Sequence, residues 1–167
     1  MNLIVAVDKN WGIGSKNGLL YNIKQDMKFF RQTTLNKVVV MGRNTLESFP
    51  NGAPLKNRVN ICINAEPDFV RDGVIVVYSL EELFEGIKKY NSEDVFVIGG
   101  ASIYAQLLPY CSKAYITKIN AIKKADVYFP NLDEKSEWEM VKKSETMNED
   151  GIEFNFCIYE NSKVQIF

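Results

Sequence analysis

Residues Asp94–Tyr104 read DVFVIGGASIY. The unbroken apolar run Val95–Ile98 describes a strand covered on both faces rather than one with a wet side. Gly99 and Gly100 then let the backbone turn sharply and approach a ligand closely, and ASIYAQLL continues as a helix that Pro109 stops. A buried strand feeding a helix through glycine is the unit of a parallel sheet. Taken alone, the glycine pair reads equally as a tight turn.

The same unit recurs upstream. Asn2–Asp8, NLIVAVD, is a buried strand, followed by the glycine- and asparagine-rich KNWGIGSKNG, read as a loop. A helix is expected over about Lys24–Thr34, and KVVVMG at Lys37–Gly42 is a second buried strand leading into the short helix RNTLESF. Arg58–Asn64 and Gly73–Tyr78 are further strands. Ser79 and Glu82 form a capping box that opens a helix through about Tyr90. After Pro109 the helices cease: KAYITKIN, ADVYF, WEMVKKSE and IEFNFCIYE read as strands joined by polar turns. The expected architecture is a single α/β domain over residues 1–167, with a mostly parallel sheet and an antiparallel C-terminal edge strand.

Composition narrows the chemistry. The chain has 167 residues, 46% hydrophobic and 25% charged, an ordinary globular balance. A net charge of −1, with no run of Lys or Arg longer than two, argues against nucleic acid as a partner. No apolar stretch reaches membrane-spanning length. Cys62, Cys111 and Cys157 fit neither a disulfide framework nor a metal motif, so reduced thiols in the cytoplasm are expected and no metal site. With 0 histidines, Ser-His-Asp and Cys-His chemistry is excluded, and acid–base work falls to carboxylates, Tyr, Lys or water.

In an open parallel sheet, ligands collect where strands end and helices begin. VVVMGRNT places Gly42, Arg43, Asn44 and Thr45 at one such point, where a guanidinium and a hydroxyl suit a phosphate. Neither this nor Gly99–Gly100 is a GxGxxG fingerprint. Asp26 is the odd residue of NGLLYNIKQDMKFF: Ile23, Met27 and Phe30 place it at the border of the core face. Acidic residues early in a helix commonly serve only the macrodipole. A carboxylate at a core border needs a partner, and a nitrogen-rich ring offering two donors supplies one.

Six motifs in register, LIVAVDKNWGIGSKNGLL, the Asp26 helix, VVVMGRNTLESF, VFVIGGASIY, YITKI and ADVYFP, resemble the dihydrofolate reductase family over about Asn2 to Tyr159. The resemblance implies an eight-stranded sheet with four main helices and NADPH-dependent reduction of 7,8-dihydrofolate, with antifolate inhibitors as further ligands; a monomer is expected because no unexplained apolar surface pattern stands out. Position by position it implies a catalytic group of Asp26, Tyr21, Leu19 and Thr117, with Asp26 binding the pterin and Thr117 bonding that carboxylate. Val5, Ala6, Ile98, Met27, Phe30, Phe49 and Leu55 would line the substrate slot, and Arg58 would pair with the glutamate carboxylate. On the cofactor side stand Ala6, Ile13, Gly14, Gly42, Arg43, Asn44, Thr45, Asn64, Ile98, Gly99, Gly100, Ala101, Ser102, Ile103 and Tyr104. The family joins the glycine pair by a cis peptide.

The chain departs from the family in places. Leu20-Tyr21 stands where Pro-Trp is usual, which removes a fixed φ and predicts a more mobile segment ahead of the helix. Ser102 stands where a basic residue is common, and Asn64-Ala65 where Ser or Thr is, leaving Arg43 with less help toward a 2′-phosphate. Two rival readings share the fold: a reductase of riboflavin biosynthesis, and a binding domain without catalysis.

Overall fold

A computed structural model describes residues 1–16 and 18–167. Asn17, within the segment read as a loop, lies outside the described residues. In chain order the elements are β1 (Asn2–Val7), β2 (Gly12–Ser15), β3 (Gly18–Leu19), α1 (Lys24–Thr34), β4 (Val38–Gly42), α2 (Arg43–Ser48), β5 (Val59–Ile63), β6 (Val74–Val77) and α3 (Leu80–Ile87). There follow β7 (Val95–Gly99), α4 (Ala101–Leu107), β8 (Lys113–Ile119), β9 (Val127–Tyr128), β10 (Trp138–Lys143), β11 (Met147–Glu149) and β12 (Ile152–Asn161).

The main sheet runs β10-β12-β8-β1-β7-β4-β5-β6, with β11 pairing onto β12. Neighbours from β8 through to β6 are parallel, and β12, β10 and β11 join antiparallel. The antiparallel part lies on the expected side, but its outer strand is β10. The last strand, β12, sits one place in, covering β8. The loop expected at KNWGIGSKNG is instead part of a second small sheet, β3-β2-β9. ADVYF therefore leaves the main sheet, and Val127 faces Gly14. Short glycine-rich strands carry no apolar alternation, which is why composition reads them as loop.

Parallel strands covered on both faces are apolar throughout, and β7 is buried at every residue. Alternation then sorts the core into two layers. Leu3, Val5, Val7, Val38 and Val40 face one side with α4 residues Tyr104 and Leu107. Ile4, Val39, Met41, Cys62 and Phe96 face the other, with Phe29 and Phe30 of α1 packed against them. The chain leaves β1 toward β4 and returns through β7, which inserts between them before the chain crosses to β8. Such a reversal opens a crevice at the strand carboxyl ends, where Ala6, Gly42, Gly99 and Thr117 lie; Leu55 and Arg58 instead precede β5.

Candidate active site

Asp26 is the third residue of α1, and its carboxylate borders the crevice. Thr117 lies on β8 directly opposite Ala6 of β1 and is itself 2% exposed. Its Oγ1 donates to Asp26 Oδ1 at 2.6 Å. Burial pushes the Asp26 carboxyl above its usual range, the Thr117 bond opposes this, and the charge of Glu149 adds to the rise. Ala6, Gly12, Ile13, Leu19, Leu20, Tyr21 and Ile119 line the same recess. The structure therefore brings Asp26, Thr117, Ala6, Ile13, Leu19 and Tyr21 together.

The apolar face of α1 differs from its sequence reading. Ile23 is buried against Ile119 and Phe154, and Phe30 packs in the layer that also takes Phe49 and Leu55. Met27 is not core: it is 48% exposed, and Leu19 is 68% exposed. Phe29, which spacing had not singled out, stacks on Phe156 with centroids 4.4 Å apart. Such a pair adds about 0.5–1.5 kcal/mol beyond area burial. Helix α1 thus anchors through Ile23, Phe29 and Phe30, leaving Asp26 and Met27 turned from the closed core.

Ahead of the helix, Leu20 is buried and its carbonyl accepts from Lys123 Nζ at 3.0 Å. That ammonium lies 4.4 Å from the Tyr21 ring centroid, a cation–π contact. The Tyr21 hydroxyl is buried without a hydrogen-bond partner among the described residues. Burial, with Asp8 nearby, pushes its pKa up. Asp8 itself closes the turn into β2, accepting from Asn10 N and Gly12 N at 2.9 Å and from Lys123 N at 3.2 Å. Lys123 thus ties the segment that lacks proline to the loop after β8, an attachment between distant residues that spacing cannot reveal.

Arg58 is the second group with an open valence. Its Nε is buried without a partner among the described residues, and Nη1 donates only to the Lys56 carbonyl at 3.1 Å. Burial and the neighbouring Arg31 both lower its pKa. A buried guanidinium N–H without a partner, with a second positive charge near enough to be felt, suits a carboxylate. Asn60 fixes the loop that presents Arg58. It accepts from Leu55 N at 3.0 Å and donates to the Leu55 and Arg58 carbonyls at 2.9 and 3.2 Å. A polar residue inside the strand RVNICIN was its only signal.

On the other side of the crevice, β4 ends at Gly42, followed directly by α2, and β7 at Gly99, followed through Gly100 by α4; neither helix has a side-chain cap. The Gly99–Gly100 peptide is cis. A methyl carbon on Gly99 would stand 3.1 Å from Thr45 Oγ1, and one on Gly42 would stand 3.0 Å from Ile103 Cγ1. Gly42, Thr45, Gly99, Gly100 and Ile103 therefore crowd together, and glycine backbone with uncapped N–H groups faces the crevice, a cradle that fits a flat ring and phosphates. Tyr104 is buried and its hydroxyl donates to the Ile4 carbonyl at 2.7 Å, so it joins α4 to β1. Ser102 is exposed and accepts from Gln106 Nε2.

Arg43 is less free than its position implied. It donates to Glu47 at 2.9 Å and to Glu66 at 2.6 Å, and it lies 4.4 Å over Phe69. Arg43, Glu66 and Phe69, with Asp68, Val70 and Arg71, line an open cleft of about 360 Å³. Asn64 donates to the Glu66 carbonyl.

Comparison with known proteins agrees with this geometry. The model of the family described as dihydrofolate reductase matches residues 1–161. The dihydrofolate reductase of Schistosoma mansoni is 37% identical, covering 96% of this chain and 95% of its own. That of Bacillus subtilis is 35% identical over 96% and 94%. A solved structure of Enterococcus faecalis dihydrofolate reductase, complexed with NADP(H) and RAB-propyl, superposes with a TM-score of 0.86 at 31% identity, covering 96% of this chain and 95% of that one. A cleft with a threonine-held carboxylate on one wall and a glycine cradle on the other thus meets sequence likeness along nearly its whole length, and the chain belongs to the dihydrofolate reductase family.

Proposed function

We infer that the protein reduces 7,8-dihydrofolate to 5,6,7,8-tetrahydrofolate with NADPH. The observation that carries this reading is the Asp26 carboxylate, bordering the recess and held by Thr117 at 2.6 Å. When bound, NADPH supplies a hydride from nicotinamide C4 to pterin C6, with N5 taking a proton.

The chain's own residues orient and enclose. Asp26 accepts the pterin's paired donors, and Thr117 fixes the carboxylate for them. A protonated antifolate ring would engage the same carboxylate. Val5, Ala6 and Ile98 form the slot floor, with Met27, Phe30, Phe49 and Leu55 around the ring and benzoyl group. Arg58, with Arg31 beside it, takes the glutamate carboxylates. Leu19 and Tyr21 close the recess where water reaches the ring, and the unpartnered Tyr21 hydroxyl can hold that water. Ile13, Gly14 and the Gly99–Gly100 cradle, with Ala101, Ser102 and Ile103 after it, would receive the nicotinamide side. Gly42 to Thr45 and Asn64 would receive the phosphates, with Tyr104 supporting the cradle from beneath.

The reading extends to one domain over residues 1–167, acting as a monomer in the cytoplasm without nucleic acid or membrane. No helix among the described residues is long and apolar enough to cross a bilayer. The test is loss of NADPH absorbance on adding dihydrofolate. Activity is expected with dihydrofolate and not with the ribosylated pyrimidine of riboflavin biosynthesis; the reverse result overturns the reading.

A further inference from the structure

Helix α1 carries Asp26 but begins without a side-chain cap of its own, because the residue before it is Ile23. The first N–H groups of a helix have no partner within it and need one outside. Here the partner comes from far along the chain. Glu149, the last residue of β11, accepts from Lys24 N at 2.6 Å through one oxygen and from Gln25 N at 3.0 Å through the other. Gln25 Nε2 donates in return to the Asn148 carbonyl at 3.3 Å. The two backbone bonds hold the Glu149 carboxyl below its usual range, whereas Asp26 sits above its own. Glu149 is therefore ionised wherever Asp26 titrates.

The hairpin that carries Glu149 is firmly placed. Glu149 pairs with Ile152 across β11 and β12. β12 continues along β8, where Phe156 lies opposite Thr117. One hairpin thus grips the start of the Asp26 helix and backs the strand whose threonine bonds Asp26.

We propose that Glu149 is a positioning residue for the reaction: its carboxylate docks the first turn of α1, sets where Asp26 stands at the cleft, and supplies the negative charge that Asp26 meets there. The proposal rests on Asp26 serving in dihydrofolate reduction as inferred above. Asp26 is one residue beyond the N–H groups that Glu149 holds. A free helix N-terminus would favour the Asp26 anion. A carboxylate already bound there offsets that effect and adds a like charge, so both consequences have the same sign. The titratable groups around Asp26 are Tyr104 on α4, Tyr21 ahead of α1, and Glu149, with Thr117 donating from β8. Lys24, on the helix itself, lies beside Glu149.

Two variants separate the docking from the charge. Glu149→Gln keeps one acceptor oxygen, enough for one of the two backbone N–H groups, and loses the charge; Glu149→Ala loses both oxygens and the charge. The measurements are the ¹³C titration of the Asp26 carboxyl in ligand-free protein, amide exchange at Lys24 and Gln25, and the pH profile of kcat/KM for dihydrofolate. Expected is a move of the Asp26 midpoint, and of the acid limb, to lower pH in both variants. Amide exchange should rise roughly fivefold in Glu149→Ala and less in Glu149→Gln. An unmoved Asp26 midpoint in both variants overturns the proposal, even if exchange accelerates, because Glu149 is then only a cap. Unchanged exchange in Glu149→Ala overturns the docking. Should Glu149→Ala not fold, Glu149→Gln decides through the titration. A wild-type protein that oxidises no NADPH with dihydrofolate removes the functional reading, while the Asp26 titration still judges Glu149.

Discussion

The two walls of the crevice treat charge in opposite ways. At Asp26 one carboxylate is withdrawn from water, takes a single short bond from Thr117, and belongs to no ion pair among the described residues. At Arg43 one guanidinium is exposed enough to be hydrated, lies over Phe69, and already answers Glu47 and Glu66. The first group lacks what a ligand brings; the second must exchange what it has. Recognition at Asp26 therefore satisfies an open requirement, whereas recognition at Arg43 is a competition between phosphate and two carboxylates. Exposed pairs of the Arg43 kind are weak because water screens them, so the competition is one a phosphate can win.

The hardest test of this contrast is Asp26→Asn. The amide keeps an acceptor for Thr117 but loses the charge, and turnover near neutral pH is expected to fall by roughly 10²-fold or more. NADPH affinity should stay within about twofold, since the cofactor wall is untouched; near-normal turnover would sink the role given to Asp26. Stability should move the other way. A carboxyl whose folded pKa is raised contributes stability that is full below its unfolded value and lost as pH rises through the folded one. Asp26→Asn has no such loss, so its melting temperature should exceed the wild type's at neutral pH and the difference should vanish in acid.

Thr117→Val should have a smaller effect, roughly tenfold in kcat/KM, because it removes one hydrogen bond to a charged group. That bond opposes the rise in the Asp26 pKa, so the acid limb of the profile should move to higher pH, opposite to Glu149→Gln. The smallest effect is expected on the other wall. Glu66→Gln relieves Arg43 of one competitor and should tighten NADPH binding about threefold while leaving NADH unchanged. Equal changes for both cofactors would show that Arg43 does not read the 2′-phosphate.

Much of this was legible in the residues. The unbroken apolar strands, the glycines at Gly42 and Gly99–Gly100, and Asp26 at the edge of an apolar face carry local signals, and these elements form as read. Ser79 does cap α3, accepting from Glu82 N, although Glu82 reaches back to Tyr78 N instead of completing the box on Ser79. What escaped sequence reading was long-range. Glu149 and Lys123 act on backbone atoms of distant segments, and no periodicity marks a backbone N–H or carbonyl as waiting for a distant side chain. Met27 misled because helical spacing locates a face without saying whether core or cleft covers it. Arg43 misled because a guanidinium at a helix start looks available until the turn bearing Glu66 is folded beside it.

The place of β12 has a consequence in time. Until Ile152–Asn161 has been synthesised, the outer edge of β8 has no partner, and Thr117 lies on an open strand. Glu149, which docks the Asp26 helix, is also made late. During synthesis the residues of the glycine cradle are already made, while the wall that holds Asp26 waits for β12. The residues of the cofactor wall are thus made before those that complete the wall around Asp26, and the arrival of β12 decides when the two can meet.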